Sequence, residues 1–146
     1  MTMSDPDKRQ LKIQTATISA PRKIMVLSKD QFLQAIMAKI CNRYFGGEIY
    51  RAATPENPVE FNRLGGFDLI IVDLNLPGHS AVSIVRQLQQ EQPSVPVIAV
   101  VGESDHDVDE LKRLGISDIA YQPIRVAAFL EVAAGALMQK QNIYIN

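Results

Sequence analysis

Cysteine is nearly missing from this sequence. Cys41 is the one copy in 146 residues, so no internal disulfide forms and a reducing compartment fits. It lies among apolar positions at helical spacing, which makes it a small core residue rather than a nucleophile. A dominant charge is missing too: 15 basic and 16 acidic residues leave a formal net charge of −1. That balance supplies no global field to attract nucleic acid or an anionic membrane. No apolar run approaches the ~20 residues of a membrane span, and the opening "MTMSDPDKRQLKIQTATISA" has no apolar core of a signal peptide. A cytoplasmic location is therefore expected. Histidine is scarce, with His79 in a loop and His106 in the acidic stretch "SDHDVDE". The first lacks a partnering acid or nucleophile, and the acids around the second suit a helix N-terminus, so neither marks a metal site. There is no Gly-x-Gly-x-x-Gly or Walker-type run, no Gly-x-Ser-x-Gly elbow and no Cys–His pairing, which argues against nucleotide binding and nucleophilic catalysis. With 47% apolar and 21% charged residues, the chain has the composition of one globular domain.

What is present is an alternation of apolar strands and amphipathic helices. Residues 1–21 read as a flexible arm closed by Pro21, with "LKIQTATI" a weaker reading as an edge strand. "KIMVL" (23–27) is a short continuous apolar run, the mark of a strand covered on both faces. Asp30 is placed to cap a helix to about Tyr44, with Leu33, Ile36, Met37, Ile40, Cys41 and Tyr44 on one face, ended by Gly46 and Gly47. "EIYRA" (48–52) is a more polar strand, suited to a sheet edge. Asn57-Pro58 with Glu60 predicts a short helix stopping at Gly65-Gly66. "DLIIV" (68–72) belongs at the sheet centre, followed by the helix "SAVSIVRQLQQ" with Ala81, Val82, Val85 and Leu88 inward. "VPVIAVV" (95–101) is a further strand, and Ser104 with Asp107 predicts a cap for a helix carrying Val108, Leu111 and Leu114 as far as Gly115. "SDIAY" (117–121) is the last strand; Pro123 then opens a helix to about Met138, with Val126, Phe129, Leu130, Ala133 and Leu137 inward.

Five such units predict an α/β fold: a flavodoxin-like, doubly wound, five-stranded parallel sheet of order 2-1-3-4-5 with five helices. The folded domain spans 22–138 and leaves a tail at 139–146. In such sheets functional groups gather at the carboxyl ends of the strands, near the switch between strands 1 and 3. Those ends read Ser28-Lys29-Asp30, Asp73, Val101-Gly102 and Gln122-Pro123. Asp73 therefore ends an apolar strand where a partly solvated crevice lowers the cost of its charge.

Over roughly residues 22–138 the chain resembles the receiver domain of two-component response regulators, carried by "IIVDLNLPG" and "DIAYQPIRVAAFL" in matching order and spacing. The resemblance implies a bacterial, cytoplasmic, non-enzymatic signalling module. It also implies Asp73 as phosphoacceptor position and Asn75 as the position whose backbone carbonyl would ligate Mg²⁺. Two acids after strand 1 are expected in the family, but Ser28 and Lys29 stand there, while Asp30 falls one place on and suits the helix cap. The hydroxyl position is Val101, the lysine position Gln122, and the switch position on the fifth strand Ile119.

An anionic carboxylate attacking an anionic phosphoryl donor requires a divalent cation and a lysine to offset the repulsion. Two unit charges ~4 Å apart interact by about 4 kcal/mol at an effective dielectric near 20, so exchanging two acids for a hydroxyl and an amine weakens the site for cations. No metal and no other cofactor is expected. For Lys29 two placements stand open: an ion pair with Asp73, or a solvated loop side chain. Three functions are weighed. The leading one is an atypical, stand-alone receiver of a two-component phosphorelay that binds signalling proteins, a histidine kinase or a downstream target, without effective phosphorylation. Its expected binding surface is the last helix–strand–helix face (about 104–138), with a homodimer possible there and no nucleic-acid or membrane partner. The alternative is a working phosphoacceptor served by a histidine kinase or phosphotransfer protein. The third, a small flavodoxin-like enzyme or cofactor binder, lacks a phosphate loop or a flavin-stacking aromatic.

Overall fold

A computed structural model of the chain describes residues 22–53, 66–75, 81–91, 93–102, 108–116 and 118–145. Five strands, β1 (Lys23–Leu27), β2 (Glu48–Ala52), β3 (Leu69–Asp73), β4 (Val97–Val101) and β5 (Ile119–Tyr121), form one sheet of order β2-β1-β3-β4-β5. Every neighbouring pair is parallel, as the sequence predicts. Four helices are described: α1 (Gln31–Phe45), α2 (Ala81–Glu91), α3 (Val108–Arg113) and α4 (Val126–Ile145). The fifth expected helix, at Asn57-Pro58-Glu60, lies outside the described residues, as do the 1–21 arm, the Ser104–Asp107 cap, His79 and His106.

The continuous apolar runs become strands because both faces of the sheet are covered. Alternate residues point to opposite sides. Met25, Leu27, Ile70, Val72, Ala99 and Val101 pack with Ile84, Val85 and Leu88 of α2 and Leu111 of α3. Ile24, Val26, Leu69, Ile71, Ile98 and Val100 pack on the other side with Leu33, Met37, Ile40 and Cys41 of α1 and Phe129, Leu130, Ala133 and Leu137 of α4. Fully burying one such aliphatic side chain contributes roughly 1.5–3 kcal/mol, so these two layers are the main source of stability. Cys41 is fully buried, and burial pushes its thiol up to about 12, which fits a packing role. β2 is only half covered, as an edge strand should be.

Several boundaries shift for local reasons. β4 begins at Val97, after Pro96, whose carbonyl still accepts the Ile70 N–H at 3.1 Å. Gly47 has φ +97°, and any Cβ there would overlap the backbone of Arg22, so only glycine fits where the α1–β2 turn approaches the chain just before β1. The expected end of the last helix at Met138 is corrected: α4 continues to Ile145, so the 139–146 tail is helical through Ile145. No glycine or proline follows Gly135, so nothing in the chain stops the helix where the apolar periodicity gives way to "QKQN". The expectation for Val126 is also corrected. The helix begins there and not at Pro123, leaving Val126 44% exposed, one turn ahead of Phe129 and Leu130, which reach the core.

Candidate functional site

Strands β1 and β3 are neighbours, with Leu27 opposite Val72 as their last paired residues. The next position on each strand is therefore Ser28 beside Asp73. The Ser28 hydroxyl donates to Asp73 Oδ2 at 2.6 Å, while the Asn75 backbone N–H donates to Oδ1 at 2.9 Å. Asp73 is 5% exposed and Ser28 1%. Each carboxylate oxygen thus has a donor, which is what burial of a charged group demands. Ser28 Oγ also accepts the Asp30 backbone N–H at 3.0 Å. Asp30 Oδ1 in turn accepts the N–H groups of Phe32 (2.9 Å) and Leu33 (3.2 Å), the predicted cap of α1.

The structure resolves the two placements of Lys29. Its side chain is exposed, and no ion pair joins it to Asp73 among the described residues. The hydroxyl of the preceding residue takes the carboxylate instead. Ser28 stays buried just past the end of β1, while Lys29, one residue on, is exposed. Val101 is buried in β4 in register with Tyr121, and it brings no donor to the crevice. Gln122 follows β5 with its N–H bonded to the Val101 carbonyl at 2.8 Å, in a cis Gln122–Pro123 peptide. Ile119 is buried against Val101, Leu111 and Ile116 in the core layer under α2 and α3. Hydrogen bonds thus join Ser28, Asp73 and Asn75, while Val101 and Gln122 end the neighbouring strands β4 and β5, Lys29 is exposed and Asp30 serves the helix.

Gln34 was not among the residues the sequence points to. It is buried on α1 and its amide donates to the carbonyl of Ser28 and, at 3.1 Å, to that of Ala52, joining the carboxyl ends of β1 and β2. The available signal was a glutamine next to Leu33 on the otherwise apolar face of α1.

An apolar groove of about 300 Å³ runs along the opposite edge of the sheet, between β5 and the start of α4. Tyr121, Ile124, Ala128, Phe129 and Val132 line it, and Tyr121 is 58% exposed beside it.

A doubly wound, five-stranded parallel sheet of order β2-β1-β3-β4-β5 defines the class of flavodoxin-like α/β folds. The family model of the response regulator receiver domain matches residues 24–134, and the chain belongs to that family. Among curated relatives it is 26% identical over 111 residues to the aerobic respiration control sensor protein ArcB of Escherichia coli K12, covering 74% of this chain and 14% of ArcB. It is 26% identical over 83 residues to the cell cycle transcriptional regulator CtrA of Caulobacter vibrioides, covering 57% of this chain and 36% of CtrA. The chain thus spans well under half the length of either. Solved structures with the same fold include a CheY-like response regulator receiver domain protein from Methanospirillum hungatei JF-1, with TM-score 0.73, 18% identity and coverage of 84% of this chain and 98% of that one. A receiver domain protein from Clostridium thermocellum has TM-score 0.72, 20% identity and the same two coverages.

The family implies a bound Mg²⁺. The described residues contain no group of three His, Cys, Asp or Glu side chains able to hold a metal ion. Of the two carboxylates near the crevice, Asp73 Oδ2 accepts a hydroxyl proton and Asp30 Oδ1 accepts from two backbone amides at the helix cap. Mg²⁺ draws on several anionic oxygens in octahedral array, and these two carboxylates are what the described strand ends offer it.

Proposed function

We propose that this receiver domain of two-component signalling acts by binding partner proteins, with Mg²⁺-dependent phosphorylation of Asp73 lost or strongly impaired. The observation that carries the reading is the make-up of the strand ends: one buried carboxylate, already hydrogen-bonded to Ser28 and Asn75, with the neutral Val101 and Gln122 at the ends of the neighbouring strands. No side chain among these offers a positive charge to an incoming phosphoryl group, and Lys29 is exposed with no ion pair to Asp73. Phosphoryl capture depends on such charge being in place beforehand. The domain is then a cytoplasmic, non-enzymatic module that holds no metal. Its partners are signalling proteins, a histidine kinase or a downstream target, docking on the described part of the 104–138 face, where the groove between β5 and α4 and the exposed Tyr121 offer apolar contact. A homodimer through the same face is part of this reading, since exposed apolar surface favours association of any partner.

Incubating the chain with acetyl phosphate and Mg²⁺ and reading intact mass tests the proposal. No phosphoryl mass gain is expected. A gain that disappears in Asp73→Ala would instead establish the second reading, favoured by the position of Asp73 itself at the end of β3: a phosphoacceptor whose missing groups come from a histidine kinase or phosphotransfer protein.

A further inference from the structure

We infer that Ser28 is the positioning residue of this site: its hydroxyl holds Asp73 without a metal and couples it to the first turn of α1. The inference deepens the reading above and rests on it in one respect, that no cation holds the carboxylate. Ser28 Oγ has two partners on different elements. It donates at 2.6 Å to Asp73 Oδ2 on β3 and accepts at 3.0 Å from the Asp30 N–H at the start of α1. Asp30 Oδ1 then accepts from Phe32 and Leu33. A continuous path of hydrogen bonds runs from a buried carboxylate to the surface corner formed by Lys29, Asp30 and Phe32, where Phe32 is 75% exposed.

The coupling has a physical basis. A hydroxyl that donates to a carboxylate is polarised by it, and its oxygen becomes a better acceptor for a further N–H. Removing charge at Asp73 therefore weakens the Asp30 N–H bond as well, although Asp73 and Asp30 share no contact of their own. Gln34 anchors the backbone of Ser28 by donating to its carbonyl, and the other acceptor within reach of the hydroxyl, the Asp30 carbonyl, is farther away at 3.5 Å. The corner that carries Phe32 consequently responds to the state of Asp73 through Ser28, with the carboxylate's ordinary role in phosphoryl transfer set aside.

Amide hydrogen exchange by NMR on the full chain tests this with three variants: Ser28→Ala, Asp73→Asn and the double substitution. Ser28→Ala is expected to speed exchange of the Asp30 N–H by about tenfold, the scale of one lost hydrogen bond. Asp73→Asn is expected to speed the same amide and that of Phe32 several-fold, and the double variant to match Ser28→Ala alone. Amides of β4 serve as the control for global opening and stay unchanged. Wild-type exchange at Asp30 and Phe32 under Asp73→Asn, or effects that multiply in the double variant, would overturn the coupling. Should Ser28→Ala fail to fold, the Asp73→Asn comparison alone decides. A saturable Mg²⁺-induced slowing at Asp30 in the wild type would overturn the metal-free hold. Acetyl phosphate labelling with coupled exchange would sink the loss of phosphorylation and leave the coupling standing, whereas uncoupled exchange without labelling would do the reverse.

Discussion

The carboxyl ends of β1 and β3 and the rim between β5 and α4 lie on the same sheet, yet they are finished in opposite ways. At the first, polar atoms are buried and matched: Ser28, Asp73 and Gln34 are all covered, and each makes short hydrogen bonds to the neighbouring element. At the second, apolar groups are left open, with Tyr121 and Val126 exposed beside a groove floored by Phe129. A reactive centre needs an accessible nucleophile and unspent positive charge; a recognition surface needs accessible apolar area. By that standard the first region spends its polar atoms on internal hydrogen bonds, and the second leaves apolar area exposed.

The contrast breaks most visibly at Phe129, which belongs to both the core and the groove. It is among the largest fully packed side chains, touching the layer that includes Ile98, Val100 and Leu33. Phe129→Ala is expected to cost about 3–5 kcal/mol of unfolding free energy, because the cavity under α4 cannot be refilled by the short strand β5. Tyr121→Ser, on the exposed side of the same groove, should stay within about 0.5 kcal/mol. Urea unfolding of the two variants measures both. A similar loss in each would mean that Tyr121 is part of the core and the rim is less open than described.

How much of this was legible beforehand depends on the range of the interaction. The strand cores were, since "KIMVL", "DLIIV" and "VIAVV" carry their burial in continuous apolar runs, and so was the Asp30 cap, which is settled within three residues. Asp73, Val101 and Gln122 were placed at strand ends by order alone. The Ser28–Asp73 bond spans 45 positions and depends on the register of two strands that are not consecutive, so no local pattern announces it. Lys29 was a reasonable counter-ion by charge; the Ser28 hydroxyl holds the carboxylate instead, and Lys29 is exposed beyond the end of β1. The amide of Gln34 finds its acceptors on two strand ends at once, which only the assembled sheet provides. Charge arithmetic reads sequence well, whereas hydrogen-bond geometry across a sheet does not follow from it.

A smaller effect is expected at Asp30. Its carboxylate satisfies two of the open N–H groups of α1, so Asp30→Ala should lower stability by about 1 kcal/mol and fray the first turn, which includes exposed Phe32. Circular dichroism melts and exchange at Leu33 report it. An unchanged melt would place the burden of starting α1 on Ser28 instead, sharpening rather than erasing the difference between the two regions.

The smallest effect is expected at Asp118, just before β5, where burial raises the carboxyl above its ordinary range. Its backbone carbonyl accepts the Ala99 N–H at 3.0 Å, so the residue is held in place whatever the state of its side chain. An acid whose folded-state pKa is raised binds more protons folded than unfolded between the two values. Protonation therefore favours the folded state, and that contribution is present below the unfolded value and disappears as pH rises through the folded one. Asp118→Asn removes the charge at every pH. The variant should melt slightly above the wild type at neutral pH, and the gap should close as pH falls through the carboxylate range. Melts across that range, with the same buffer salt throughout, give the comparison. A gap that widens on acidification would mean the ionised carboxylate is stabilised in the fold, and the open rim beside β5 would then carry a favourable charge in addition to its apolar surface.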